Sequence, residues 1–342
     1  MARSFLRERG SAAALARPEV LTLTPYKGGK SLDELERATG RRSFIKLASN
    51  ENPLGPPPKA LAAARRALAE MHLYPESSYP DLRRALAARH RLRPSQVILG
   101  DGSNEILVLA ANAFMRRGDN AVMASPSFSV FAHAVTGAGG RPRIVPLRDM
   151  RHDLEGMARA VDARTRLVFV CNPNNPTGTI VSGAEVARFL ASLPGSVVVV
   201  FDEAYAEFVA SPRFQSGLKW VRRGLRALVV RTFAKLHGLA GLRIGYGLGP
   251  ASLVGVLERL RQPFNVNAVA YRAALGALAD RAHAARTRRV VAAGRAWLTA
   301  SLARLGVPCV PSEANFLLAH VGDGGRVAEA MLREGVVVRA LP

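Results

Sequence analysis

Short apolar runs punctuate the middle of the chain: Val97–Leu99, Asn120–Met123, Arg143–Val145, Leu167–Cys171, Val197–Phe201 and Ala227–Val230. Their apolar residues do not alternate with polar ones. Unalternating runs of this length suit strands buried on both faces, as in a parallel sheet covered by helices. Helical patterns separate the runs, so the alternation predicts an α/β domain. Upstream, Pro57 and Pro58 open a helical pattern through Ala60–Met71. Leu73, Tyr74 and Pro75 break it, and another helix is expected over Asp81–His90. The first 45 residues read as an extended arm with a short helix and a turn-like stretch over Leu23–Lys30, and Leu47–Pro56 is irregular by its Pro, Gly and Asn content. From about Asp280 the pattern changes to one long helix, Arg281–Leu305. Beyond it, Val307–Val310, Ala314–Val321, a helix over Gly325–Glu334 and a strand over Val336–Arg339 read as a small α+β unit. The expected division is an arm and small-domain part (1–45), a large domain (46–280) and a small C-terminal domain (281–342).

Composition narrows the class. A chain of 342 residues with 49% hydrophobic content can bury a large core and is not disordered. The formal charge of +22 raises the question of a nucleic-acid partner. Such a partner calls for a basic stripe with interleaved aromatics. Here arginines are scattered along helices (Arg83–Arg84, Arg222–Arg223, Arg288–Arg289) and aromatics are 6%, so a compositional bias that also favours anionic substrates is the better reading. Cys171 and Cys309 make neither a disulfide framework nor a zinc site, and both are expected to be buried free thiols. The first ten residues are too charged for a signal peptide, and no apolar stretch reaches membrane-spanning length. A cytoplasmic protein without a membrane, nucleic-acid or metal partner is expected.

The candidate chemistry centres on Lys235. The run Ala227–Val230 delivers it into a turn of small residues, with Arg243 eight positions later. An amine desolvated beside a strand end and near a cation has a lowered pKa, as imine formation with an aldehyde requires. Upstream, Asp202 ends the run Val197–Phe201, and a carboxylate there needs a cationic or hydrogen-bonding partner. Facing a pyridine nitrogen, it would keep that nitrogen protonated. Asn175 and Tyr205 are candidate donors to a phenolate oxygen. The stretch Gly100–Ile106 joins a strand to a helix, and its exposed amides, with Ser103 and Asn104, make a phosphate seat. Arg243 and Thr232 are placed to add to it, and Phe128 is a candidate ring stacker. His237 reads as a packing or hydrogen-bonding residue. Taken singly, each motif has an ordinary explanation as a turn, a cap or a surface charge.

Taken in order, the segments resemble the histidinol-phosphate aminotransferase family, fold-type I, class-II pyridoxal-phosphate-dependent aminotransferases. The resemblance runs from Pro25 to Arg339 and is carried by Leu47–Pro56, Leu73–Glu76, Gly100–Ile106, Asn172–Gly178, Asp202–Tyr205 and Thr232–Gly245. It implies a mainly parallel, seven-stranded-type sheet sandwiched by helices, with a smaller α+β domain. It also implies pyridoxal 5'-phosphate bound through Lys235, with Asp202 at the pyridine nitrogen and Asn175 and Tyr205 at the ring oxygen. Phe128 would stack on the ring, Ser103, Asn104, Thr232 and Arg243 would seat the phosphate, and Tyr74 would reach the neighbouring subunit of a homodimer. Tyr26, Asn52 and Arg339 match substrate positions. Ala234 stands where the family usually has Ser, and the family continues past Arg339 to a further arginine, so a shortened C-terminal end is expected.

The reaction implied is transfer of an amino group from histidinol phosphate to 2-oxoglutarate. Other amino-acid transaminations, a phosphothreonine decarboxylase and an inactive relative share the scaffold.

Overall fold

The computed structural model describes residues 12–25, 28–29 and 31–341. Every apolar run becomes a strand of one central sheet: β1 (Val97–Asp101), β2 (Asn120–Ser125), β3 (Arg141–Pro146), β4 (Thr165–Cys171), β5 (Val198–Asp202) and β6 (Ala227–Thr232). A seventh strand, β7 (Ile244–Leu248), completes the order β1-β7-β6-β5-β4-β2-β3. Strand β7 runs antiparallel to both neighbours, and the remaining pairs are parallel.

The unalternating runs are explained by where their side chains go. Val97, Leu99, Val168, Val170, Val199, Phe201 and Val229 face one buried cluster. Ile98, Leu167, Phe169, Val198, Val200, Leu228 and Val230 face a second, on the other side of the sheet. Each such side chain taken from water stabilises the fold by about 1.5–3 kcal/mol, which selects valine, leucine and phenylalanine at both parities. The first cluster takes in residues of the helices Pro58–Leu68, Pro80–His90 and Ala268–Ala279. The helices Gly102–Phe114 and Ala251–Glu258 pack into the second.

Strand β7 is absent from the expected strands, and its composition explains why. Gly245 and Gly247 interrupt the apolar pattern. A Cβ on Gly245 would lie 2.4 Å from the Ser103 backbone nitrogen, and one on Gly247 would lie 2.9 Å from Ile98 Cγ2. Glycine here marks close backbone approach, at the expense of strand propensity.

Outside the sheet, Ile45–Lys46 pairs in parallel with Val336–Val337, and Leu35, Ala48 and Val337 form a separate small core. Leu35 belongs to the helix Leu32–Thr39, within the first 45 residues where a short helix is expected, and a capping box between Ser31 and Glu34 opens it. The expected strands over 307–310, 314–321 and 336–339 shorten to Cys309–Val310, Leu318–Ala319 and Val336–Val337. The stretch between the first two is a loop that turns toward the large sheet. The helix expected from Arg281 begins there, with Asp280 accepting from the His283 amide, and runs to Arg304. Cys171 is buried as expected, but Cys309 is only half-buried, because its strand has a single antiparallel partner. Among the described residues no helix is long and apolar enough to cross a membrane.

Candidate active site

The parallel strands all end at one edge of the sheet, where open α/β sheets bind ligands. Register brings the chemistry-bearing strand ends side by side. Cys171 pairs with Asp202 across β4 and β5, Asp202 with Val230 across β5 and β6, and Thr232 with Gly245 across β6 and β7. Gly102 bridges to Ile244, so the start of the helix Gly102–Phe114 lies at the same edge.

Lys235 follows β6 by three residues and is half-buried. Its Nζ donates to the Ser49 carbonyl at 3.0 Å and lies 5.6 Å from the centre of the Tyr205 ring. Burial lowers the amine to about 8, Glu51 and Asp202 opposing and Arg243 reinforcing the shift. An amine with that value is neutral in a substantial fraction near physiological pH, as a nucleophile requires.

Asp202 is buried, and the bond to its carboxylate is from the Ala204 amide, 3.1 Å from Oδ1. Burial raises it to about 6, the Ala204 donor and Lys235 pulling down and Glu203 pushing up. A buried carboxylate with so little support calls for a cationic N–H partner. Its neighbour Glu203 is in the opposite state. Arg231 Nη2 lies 2.7 Å away, and Ser216 Oγ and the Gly217 amide donate at 2.8 and 2.6 Å. Glu203 therefore anchors the backbone that presents Asp202.

The β1–helix turn is a cradle. Gly102 has φ +71°, and a Cβ on it would meet Arg243 Nη2 at 2.5 Å. The Arg243 guanidinium thus lies over the helix start, where Ser103 and Asn104 are half-buried, and it also donates to the Ala240 carbonyl at 3.0 Å. Amides at a helix start beside a guanidinium receive an anion such as phosphate. The Thr232 hydroxyl accepts from the Ala234 amide at 3.0 Å.

On the far side, Tyr205 is buried and its hydroxyl accepts from Asn50 Nδ2 at 3.2 Å. Asn175 is half-buried on its turn. That turn is held by Asn174, whose amide links Ser127 Oγ, His152 Nε2, the Pro126 carbonyl and Thr177 Oγ1 at 2.7, 3.1, 3.1 and 3.0 Å. The same bonds fix the segment carrying Phe128, which packs edge-on against Phe131. His237 is buried, with Nε2 3.7 Å from Glu207 and its ring tilted against Phe233 at 5.2 Å, which fits a local packing role.

The substrate positions are more scattered. Asn52 ties down the Lys235 turn: its Nδ2 donates to the Leu236 carbonyl at 2.8 Å and to Thr287 Oγ1 at 3.3 Å, and its Oδ1 accepts from the Leu54 amide. Arg339 is exposed, two residues past Val336–Val337. Tyr74 is 82% exposed and stacks on Phe264 with ring centres 4.6 Å apart, on the outer surface of this chain. Tyr26 lies outside the described residues. Residues the motifs do not single out are Ser49 and Asn50, and the loop residues Asn315 and Phe316. Asn315 Nδ2 donates to the Asn50 carbonyl at 3.0 Å, and Phe316 meets the Tyr205 ring edge-on. Ser49 and Asn50 lie within the irregular stretch Leu47–Pro56, whereas nothing local marks Asn315. Among the described residues no cluster of His, Cys, Asp and Glu is placed to hold a metal.

The family described as "Aminotransferase class I and II" matches residues 42–341. A histidinol-phosphate aminotransferase from Moorella thermoacetica is 43% identical over 98% of this chain and 88% of its own. One from Cupriavidus pinatubonensis is 47% identical over 94% and 87%. Among solved structures, a histidinol-phosphate aminotransferase from Sinorhizobium meliloti in complex with pyridoxal-5'-phosphate superposes with a TM-score of 0.87. It is 29% identical and covers 98% of this chain and 90% of its own. Thermus thermophilus aspartate aminotransferase with maleate gives 0.80 at 26% identity, over 94% of this chain and 90% of its own.

Proposed function

The chain belongs to the class I and II aminotransferases, and from that premise we propose that it transfers the amino group of histidinol phosphate to 2-oxoglutarate. The products are imidazole-acetol phosphate and glutamate, a step of histidine biosynthesis. The enzyme is a pyridoxal-phosphate-dependent aminotransferase. The preference for histidinol phosphate is supported by the names of relatives 43–47% identical over nearly the whole chain.

The residues present fit the cofactor. Among the described residues the buried Asp202 carboxylate, raised to about 6, makes no ion pair, and a protonated pyridine nitrogen would provide the cationic partner. The cradle at Gly102 and Gly245 has no room for a Cβ and exposes amides beside Arg243. This juxtaposition of Lys235, Asp202 and the cradle at one sheet edge carries the reading. When bound, pyridoxal phosphate supplies the aldehyde that takes up the amino group and a ring that withdraws electrons from the reacting carbon.

The protein's part is to bind, orient and move protons. Ser103 and Asn104 amides with Arg243 hold the phosphate, Thr232 lies beside them, and Phe128 covers the ring. Asp202 holds a proton on the pyridine nitrogen, and Asn175 and Tyr205 donate to the ring oxygen. Lys235 would hold the cofactor's aldehyde carbon and, once its amine is free, would take the proton from the substrate carbon and deliver it to the carbon on the far side of the transferred nitrogen. In the cofactor-free protein burial already brings this amine down to about 8, toward the range in which a group both accepts and donates a proton. Tyr26 and Arg339 are assigned to the anionic end of the substrate, and Asn52 to substrate binding. The same reading makes the protein a cytoplasmic homodimer, in which the exposed Tyr74 reaches the partner's phosphate site.

An absorbance titration tests this. With pyridoxal phosphate the protein should develop a visible band that histidinol phosphate bleaches and 2-oxoglutarate restores. Lys235→Ala should lack both band and turnover. Turnover in that variant, or a wild-type band indifferent to histidinol phosphate, would refute the assignment.

A further inference from the structure

We propose that Asn50 is a positioning residue for the reaction, orienting the Tyr205 phenol as a donor toward the cofactor, and that Asn315 holds Asn50 in place. The proposal rests on the aminotransferase reading above. Its starting point is that two adjacent residues of the irregular stretch touch both proton-handling groups. Ser49 accepts from Lys235 through its carbonyl at 3.0 Å, and Asn50 donates its amide to the Tyr205 hydroxyl at 3.2 Å. A phenol oxygen that accepts from an amide points its own proton away from that amide, and so acts as a donor elsewhere. Had the neighbour been a carboxylate, the phenol would donate to it.

The arrangement is held from several directions. Asn50 has φ +53°, a left-handed conformation that Asn, Asp and Gly accept most readily. Its carbonyl accepts from Asn315 Nδ2 at 3.0 Å. The opposite end of that amide, Asn315 Oδ1, is buried without a partner among the described residues, so the Asn50 bond alone orients the side chain. The loop carrying Asn315 is itself fastened to the site. The Glu313 amide donates to the Gly178 carbonyl at 2.8 Å, which belongs to the Asn175 turn. Glu313 Oε2 accepts from the Ala210 amide at 2.8 Å, just beyond Tyr205, and Phe316 packs edge-on at 5.0 Å from the Tyr205 ring. The C-terminal loop therefore touches the Asn50 segment and both segments that carry donors for the ring oxygen. Donors on that oxygen favour its anionic form and lower the proton affinity of the nitrogen conjugated to it. Asn50 thus acts on the reaction through Tyr205 without touching substrate.

The experiment compares the cofactor-loaded wild type with Asn50→Asp, Asn50→Gly and Asn315→Ala. Both replacements at position 50 accept the backbone conformation. The readouts are the pH midpoint of the visible band, the pyridoxal phosphate Kd by fluorescence, and the thermal midpoint of each cofactor-free protein. Asn50→Asp reverses the bond and adds a negative charge, so the band midpoint should rise by about one pH unit or more. Asn50→Gly and Asn315→Ala should move it the same way by less, with a several-fold weaker Kd for Asn50→Gly. Thermal midpoints should change little. Band midpoints equal to wild type in both Asn50 variants, or changes confined to thermal stability, would overturn the proposal while leaving the cofactor assignment intact. A wild type with no band dependent on Lys235 would overturn the aminotransferase reading and this proposal together.

Discussion

Asp202→Asn exchanges a buried carboxylate for a neutral amide of the same shape, and its effects on stability and on activity run in opposite directions. In the cofactor-free protein the carboxyl titrates at about 6 because burial disfavours its charged form, against 3.8 for an ordinary aspartate. That displacement corresponds to about 3 kcal/mol. The sign follows from the raised value: the contribution of this group is complete below about pH 3.8 and is lost as pH rises through about 6. At pH 8 the wild-type apoprotein therefore carries the full deficit, and the amide variant does not. The side-chain oxygen of the replacement can still accept from the Ala204 amide, so that bond survives the exchange. The expected gain at pH 8 is up to about 3 kcal/mol, roughly 4 °C in Tm for a chain of this length. It should shrink with falling pH and vanish near pH 4. With pyridoxal phosphate bound the gain should disappear, since the pyridine N–H then partners the carboxylate, and turnover of the variant should fall at least about 100-fold. The assay is differential scanning calorimetry of both apoproteins at pH 4, 6 and 8, repeated with cofactor. Equal Tm values at pH 8, or a gain that persists undiminished at pH 4, would show that Asp202 is not an unsupported buried carboxylate.

Gly245→Ala would drive a Cβ to 2.4 Å from the Ser103 nitrogen and 2.7 Å from the Gly102 carbon, displacing the helix start rather than a flexible side chain. Overpacking of this kind costs about 1–3 kcal/mol, and cofactor titration should show a Kd raised about 5- to 150-fold. In the apoprotein Lys235 should titrate near pH 8, read from the pH dependence of its reductive methylation, and Arg243→Gln should move that midpoint upward. A Lys235 midpoint near 10.5 in the wild type would contradict the burial seen for its amine.

The strand runs, the long helix from Arg281 and the strand-end motifs at Asp202, Asn175 and Lys235 are legible in the sequence. They are local: burial on both sheet faces demands apolar residues at both parities, and turns demand Gly, Pro and Asn. Strand β7 is hidden because its glycines answer to Ser103 and Ile98, far away along the chain, rather than to strand propensity. The Glu203–Arg231 pair is likewise invisible, although it lies next to a residue that the strand-end pattern singles out. Thus the sequence by itself determined the α/β architecture, the family and the chemical identity of the groups at the sheet edge. Only the tertiary structure decided how far Lys235 and Asp202 leave water, and which bonds Asn50 and Asn315 make across 265 residues of chain. Periodicity records whether a position is buried, but a pKa or a hydrogen-bond direction depends on which distant atoms share that burial.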